Sequence, residues 1–395
     1  MPRPPLELAG IFRQHGPAYR QAHDLPWHQQ ALMRAIETCR TPALGGVIEW
    51  CGHCQYSHVQ YRSCRNRHCP KCQGLARAHW LQQRQAELLP VEYFHVVFTI
   101  PEPIAAIAFY NKAAVYDLLF RAASHTLLTI AADPKHLGVE IGFFAVLHSW
   151  GQNLHFHPHL HCVVPGGGLS LKANRWIHGR RRFLLPVKVL SALFRRLFLK
   201  TLHQTYAAGK LRLFGELAAL SDPSRFARFL APLKKSKWVV YAKAPFGGPQ
   251  QVLKYLGRYT HRVAISNQRL LALQDGQVTF AWKDYRDEQQ KQMTVSADEF
   301  IRRFLLHSLP PGFQRIRYYG FLANRHRAAK LELCRRCLAA PASDLLPPPA
   351  DYRDFYLALT GRDPRRCPQC RTGILIRLGF LRPADVLRPE SVDTS

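Results

Sequence analysis

Seven consecutive residues, His155-Phe156-His157-Pro158-His159-Leu160-His161, carry a histidine at every second position. A helix would scatter those imidazoles around its axis, whereas a strand sends alternate side chains to one face. The run therefore predicts a strand with all four imidazoles turned one way and Leu160 turned towards a core. A single histidine is most often a satisfied core or surface residue. Four at period two form a metal-ligand face, and imidazole suits Zn²⁺, Cu²⁺, Mn²⁺ and similar ions. No acidic side chain lies between residues 151 and 215, so further ligands near this strand are neutral, or a carboxylate arrives from elsewhere.

Around that strand the sequence reads as an α+β core. The β-branched and aromatic run 93–100 predicts a strand, and the Ala/Leu-rich stretch 104–131 one helix. Segments 139–149 and 155–164 predict two strands joined by the turn Trp150-Gly151-Gln152-Asn153. A helix over 186–206, a strand over 237–242 and a helix over 250–259 follow. The order is β-α-β-β-α-β, the ferredoxin-like arrangement, with the middle strands as a hairpin at the centre of an antiparallel sheet. Beyond it lie a strand over 277–282, a helix over 297–307 opened by the capping box Ser296-Ala297-Asp298-Glu299, and a short strand over 315–319. Three consecutive domains are expected: 1–89, 90–325 and 326–395, with a proline-rich linker at 346–350 inside the last.

The chain has eleven cysteines. Cys51-x-x-Cys54 and Cys69-x-x-Cys72 are fourteen residues apart, and two such knuckles close a thiolate tetrahedron around Zn²⁺. Cys64 and His68 lie between them and are open to replacing a ligand or joining a second site. Cys334-x-x-Cys337 and Cys367-x-x-Cys370, twenty-nine residues apart, predict a second structural zinc. The flanks are thus expected to be an N-terminal and a C-terminal zinc-ribbon module. Cys39 and Cys162 have no partner motif and are expected to be small core residues.

Charge narrows the partners. Over 395 residues, 55 Lys and Arg stand against 26 Asp and Glu, a formal net charge of +29. With 47% hydrophobic residues the chain builds real cores, so this is not a disordered basic tail. Its surface releases counterions onto a polyanion, nucleic acid first. Arg65, Arg67 and Lys71 surround the first knuckles and are expected to meet phosphates. No run is long and apolar enough for a membrane span, no signal peptide opens the chain, and the cytoplasm is the expected compartment. Tyr255-Leu256-Gly257-Arg258-Tyr259 sets two phenols on one face of a helix, beside Lys254, His261 and Arg262, which is too cationic a segment for a buried stripe.

The combination of His-hydrophobe-His on a central strand with a downstream Tyr-x-x-x-Tyr helix resembles the HUH single-strand endonucleases. It is most similar to the two-tyrosine, rolling-circle transposases of the bacterial insertion-sequence-ninety-one family. The resemblance runs from Cys51-Gly-His-Cys54 and Arg67-His68-Cys69-Pro70-Lys71-Cys72 through His148-Ser149-Trp150-Gly151-Gln152-Asn153 and His157-Pro158-His159-Leu160-His161 to Tyr255-Leu256-Gly257-Arg258-Tyr259-Thr260-His261-Arg262. It implies that 90–325 is an HUH catalytic domain in which His159 and His161 hold Mg²⁺ or Mn²⁺. Gln152 is the expected third ligand, with His148 and His157 as rivals. Tyr255 and Tyr259 are implied as nucleophiles that nick and rejoin DNA through a 5′-phosphotyrosine, while Lys254, Arg258 and Arg262 contact DNA. The implied partners are single-stranded and hairpin DNA at element ends and target DNA, with the protein nucleoid-associated. A homodimer is left open. Trp150, Trp176, Trp238 and Tyr241 are candidate base-stacking platforms, with core packing the rival reading for the last two. Two other readings stand beside this one. A replication initiator or relaxase shares the chemistry, but such proteins often carry a helicase and no nucleotide-binding P-loop is present. A non-catalytic zinc-ribbon DNA-binding regulator would use the histidines only to hold metal.

Overall fold

The computed structural model describes residues 6–243, 251, 263–284, 287–340, 349 and 351–383. They fall into two units, each assembled from separated stretches: Met1–Gln83, His261–Ser308 and Leu346–Ser395 in one, Arg84–Thr260 and Leu309–Leu345 in the other. Three consecutive domains were expected. The chain is instead interleaved, because the C-terminal stretch returns to pair with an N-terminal strand.

The second unit is built on strands β1 (Tyr93–Thr99), β2 (Gly142–Trp150), β3 (Phe156–Pro165), β4 (Val240–Lys243) and β5 (Ile316–Gly320). They stand in the order β5-β2-β3-β1-β4, and every neighbouring pair is antiparallel. β2 and β3 form the expected hairpin, and the short strand near 316, read from sequence as lying beyond the core, adds to its open edge. Helices α1 (Glu102–Tyr110), α2 (Lys112–Ala132), α3 (Val187–Ala207) and α4 (Pro223–Lys235) supply Ile104, Val115, Phe194 and Leu230 to one core with Phe98, Leu147, Leu160 and Cys162 of the strands. Removing each such side chain from water contributes ~1.5–3 kcal/mol.

Two departures from sequence expectation have local causes. The single helix expected over 104–131 is broken at Asn111, whose backbone leaves the helical region. Its side-chain amide donates to the carbonyls of Ile107 and Arg212 and accepts from the Arg212 N–H. The strand expected over 139–149 divides at Ile141: Val139 and Glu140 pair with Ser170 and Leu169 rather than with β3. The helix expected over 250–259 lies outside the described residues. Among the described residues no helix is long and apolar enough to cross a membrane.

In the first unit, the helices Leu8–Ala22 and Ala297–Leu306 meet through Phe12 and Phe304, whose rings pack edge to face. The Ser296 hydroxyl caps the latter helix by accepting from the Glu299 N–H, as the capping box requires. The Glu299 carboxylate binds Arg302 and Arg303. A three-stranded sheet sets Gly46–Cys51 between Ser57–Tyr61 and Leu375–Leu381, so the middle strand is N-terminal and one neighbour is C-terminal.

Candidate functional site

On β3, His159 and His161 point away from the helical core into which Leu160 is packed. The β2–β3 register places His148 directly opposite His159, so all three imidazoles share one face. One ring nitrogen from each lies within 4.8 Å of the others. His157 sits at the exposed start of the strand, its ring 5.4 Å from that of His159. His155 precedes the strand and is exposed, so the expected face of four reduces to His157, His159 and His161, with His148 arriving from the neighbouring strand.

The hydrogen bonds behind these rings decide what they can do. The Nδ1–H of His159 donates to the His157 carbonyl at 2.6 Å, which leaves Nε2 with its lone pair. Burial pushes the His159 imidazolium down to about 4, so the ring is neutral at pH 7. His161 Nδ1 bonds the Nε2 of His95 at 2.7 Å, with the two rings stacked. His95 was not singled out from the sequence. Its signal was a lone polar residue in the apolar run Tyr93-Phe94-His95-Val96-Val97. Imidazoles held by a second hydrogen bond are the usual form of metal ligands, and an all-imidazole donor set suits Zn²⁺, Cu²⁺, Fe²⁺ and Ni²⁺.

Other expected residues are placed as follows. Gln152 is half-buried in the turn between β2 and β3. Trp150 is buried, stacked on His148 with the Arg315 guanidinium over its ring. Trp176 and Trp238 are buried too, so none of the three tryptophans is an open stacking platform. Tyr241 is 50% exposed, paired with Val97 beside the histidine face. Tyr255, Tyr259, Lys254, Arg258 and Arg262 lie outside the described residues.

The cysteines regroup. Cys51 and Cys54 meet Cys367 and Cys370, while Cys69 and Cys72 meet Cys39 and Cys64. Sulfur separations are 3.8 Å for Cys51–Cys370, 3.6 Å for Cys54–Cys367, 3.5 Å for Cys39–Cys72 and 3.6 Å for Cys64–Cys72. A tetrahedron with Zn–S bonds of ~2.3 Å has edges of ~3.8 Å, so both quartets fit Zn²⁺, whereas a disulfide needs ~2.05 Å. The expected partnership of Cys51 and Cys54 with Cys69 and Cys72 is thus corrected, and Cys39 is a cluster member rather than a core residue. His68 is buried outside both quartets. Among the described residues no such cluster forms around Cys334 and Cys337: Cys334 is buried on the helix Arg327–Cys337, and the Cys337 thiol bonds the Asn174 carbonyl. Of the three cations near the knuckles, Arg65 is exposed, Arg67 is half-buried, and Lys71 is ion-paired with Glu7 at 2.5 Å.

Residues 142–330 match the family described as "Putative transposase" and residues 11–100 match a "Transposase zinc-binding domain". The chain is 60% identical over 382 residues to "Putative transposase y4qJ" of Sinorhizobium fredii, covering 96% of each chain. It is 30% identical to the transposase for insertion sequence element IS801 of Pseudomonas savastanoi pv. phaseolicola, over 84% of this chain and 79% of that one. No solved structure matches the chain.

Proposed function

The chain belongs to the IS91 family of transposases, and from that premise we propose that it nicks and rejoins single-stranded DNA at the ends of its insertion sequence through a 5′-phosphotyrosine. The observation that carries the reading is the cluster of His148, His159 and His161 on facing strands. The antiparallel order β4-β1-β3-β2 within the central sheet supports a ferredoxin-like HUH core, since β3 of the hairpin lies between β1 and β2 as that fold requires.

In this reading His148 takes the third ligand place in preference to Gln152, because the strand register sets its ring against those of His159 and His161. A Mg²⁺ or Mn²⁺ ion bound there would supply Lewis-acid polarisation of the scissile phosphate. His95 and the His157 carbonyl keep the ligand rings in place, and the carbonyl also fixes the His159 tautomer. Three uncharged donors would leave a bound cation its full charge for the phosphate. One of Tyr255 and Tyr259 attacks phosphorus: its phenol proton passes to solvent, the bond from phosphorus to the 3′ oxygen breaks, the departing oxygen takes up a proton as a free 3′-OH, and the energy of the ester is retained in the protein–DNA link. The other tyrosine serves the second strand or the reversal. Lys254, Arg258 and Arg262 favour the phenolate, whose parent phenol has a pKa near ~10, and hold the DNA backbone. Tyr241, exposed beside the histidine face, offers a surface for a base to stack on.

The test incubates purified protein with Mn²⁺ and labelled single strands bearing candidate ends, followed by a denaturing gel. A covalent protein–DNA adduct is expected from the parent and none from Tyr255→Phe/Tyr259→Phe. A parent that binds these strands without any adduct would favour the DNA-binding regulator.

A further inference from the structure

We propose that Cys51, Cys54, Cys367 and Cys370 bind one Zn²⁺ that joins the two ends of the chain into a single split zinc ribbon. The two knuckles are built alike. In the first, the Gln55 N–H donates to the Cys51 carbonyl at 2.8 Å and Gln55 turns to φ +61°. In the second, the Arg371 N–H donates to the Cys367 carbonyl at 2.9 Å and Arg371 turns to φ +61°. Each first cysteine then closes its own hairpin, Cys51 N–H to the Tyr56 carbonyl and Cys367 N–H to the Gly373 carbonyl, both at 2.8 Å. Two hairpins that each offer a pair of sulfurs in the same geometry are the halves of a tetrahedral site.

The halves meet closely. Gly373 leaves room for the Cys51 sulfur where any Cβ would collide with it, and its N–H donates to the Cys370 sulfur at 3.3 Å. From this junction the strand Leu375–Leu381 runs antiparallel to Gly46–Cys51, from Leu375 opposite Cys51 to Leu381 opposite Gly46. That strand buries little: Ile376, Leu378 and Phe380 are 54%, 61% and 61% exposed. Apolar burial therefore contributes little to holding this strand, and a ladder alone is marginal in water. A metal held by the four sulfurs would add an anchor across 319 residues of sequence, beside the edge contact of Phe355 with His79.

This proposal rests on the zinc-binding character of the family and not on the strand-cleavage chemistry, and its readouts are independent of DNA. Zinc per chain is measured on the full-length protein by plasma mass spectrometry. Cys367→Ser/Cys370→Ser is expected to lose one equivalent, and so is Cys39→Ser/Cys64→Ser, whereas Cys334→Ser/Cys337→Ser loses none. Thiol alkylation of the unsubstituted protein, read by peptide mass spectrometry, covers the case of a variant that does not fold. A chelator is expected to make Cys51, Cys54, Cys367 and Cys370 reactive together. Loss of zinc from the Cys334/Cys337 variant would overturn the grouping. So would alkylation of Cys367 and Cys370 before chelation while Cys51 and Cys54 stay protected.

Discussion

A histidine offers a lone pair to a metal only when the proton sits on its other nitrogen, so the groups behind His159 and His161 matter as much as the rings themselves. The His157 carbonyl does this for His159, and His95 holds the His161 ring by its Nδ1. His95→Ala is expected to weaken Mn²⁺ binding ~10–100-fold, measured by isothermal titration, with the fold intact by circular dichroism. Between the rival third ligands, His148→Ala should abolish adduct formation while Gln152→Ala retains it; the reverse pattern would restore Gln152. An all-imidazole set also favours Mn²⁺ over Mg²⁺, so adduct yield at equal concentration should be higher with Mn²⁺. The alternation of histidines was legible in the sequence because strand periodicity is local. His148 and His95 were not placed by it, because cross-strand register is set by pairing between distant segments.

The elements show where local rules hold and where packing overrides them. The capping serine at 296 works as its motif requires, but the Glu299 carboxylate binds Arg302, with Arg303 adding to it, and is held down to about 2. A carboxyl depressed in the folded state stabilises it above the ordinary value of 4.5, and that stability fades as pH falls towards 2. Glu299→Gln should therefore cost about 1 kcal/mol at pH 7, with the difference closing in acid, as followed by urea melts. Gly320 ends β5 at φ +58°, and an alanine there would drive its Cβ into the Ile141 carbonyl oxygen. Gly320→Ala should destabilise by about 1–3 kcal/mol or more, read from the same melts. No propensity pattern announced the break at Asn111, because its cause is a loop a hundred residues further along.

At the scale of the whole molecule, charge and metal do different work. The net +29 predicts a steep salt dependence of DNA affinity: engaging ~6–10 phosphates of a single strand gives a log–log slope of about −4 to −7, measurable by fluorescence anisotropy. Structural zinc in small modules contributes ~10–16 kcal/mol of apparent binding energy. Chelation should accordingly abolish hydrogen-exchange protection in Gly46–Cys51, Ser57–Tyr61 and Leu375–Leu381, while β1, β2 and β3 keep theirs. The proposed split ribbon also cannot be completed until Cys370 has been synthesised, so Cys51 and Cys54 wait for their partners while the quartet of Cys39, Cys64, Cys69 and Cys72 does not.

The sequence alone determined the pieces that act over a few residues: the histidine strand, the cysteine knuckles, the helix cap, the basic surplus and the hairpin around Gln152. Each depends on side-chain periodicity or turn geometry that neighbouring residues impose. Which knuckle faces which, which histidine stands across from His159, and how the two ends of the chain share one sheet were decided only by the tertiary structure. Spacing along a chain fixes reach but not partner: closing the longer loop from Cys51 to Cys370 rather than to Cys72 costs only about 2–3 kcal/mol more in entropy, which a metal bond outweighs.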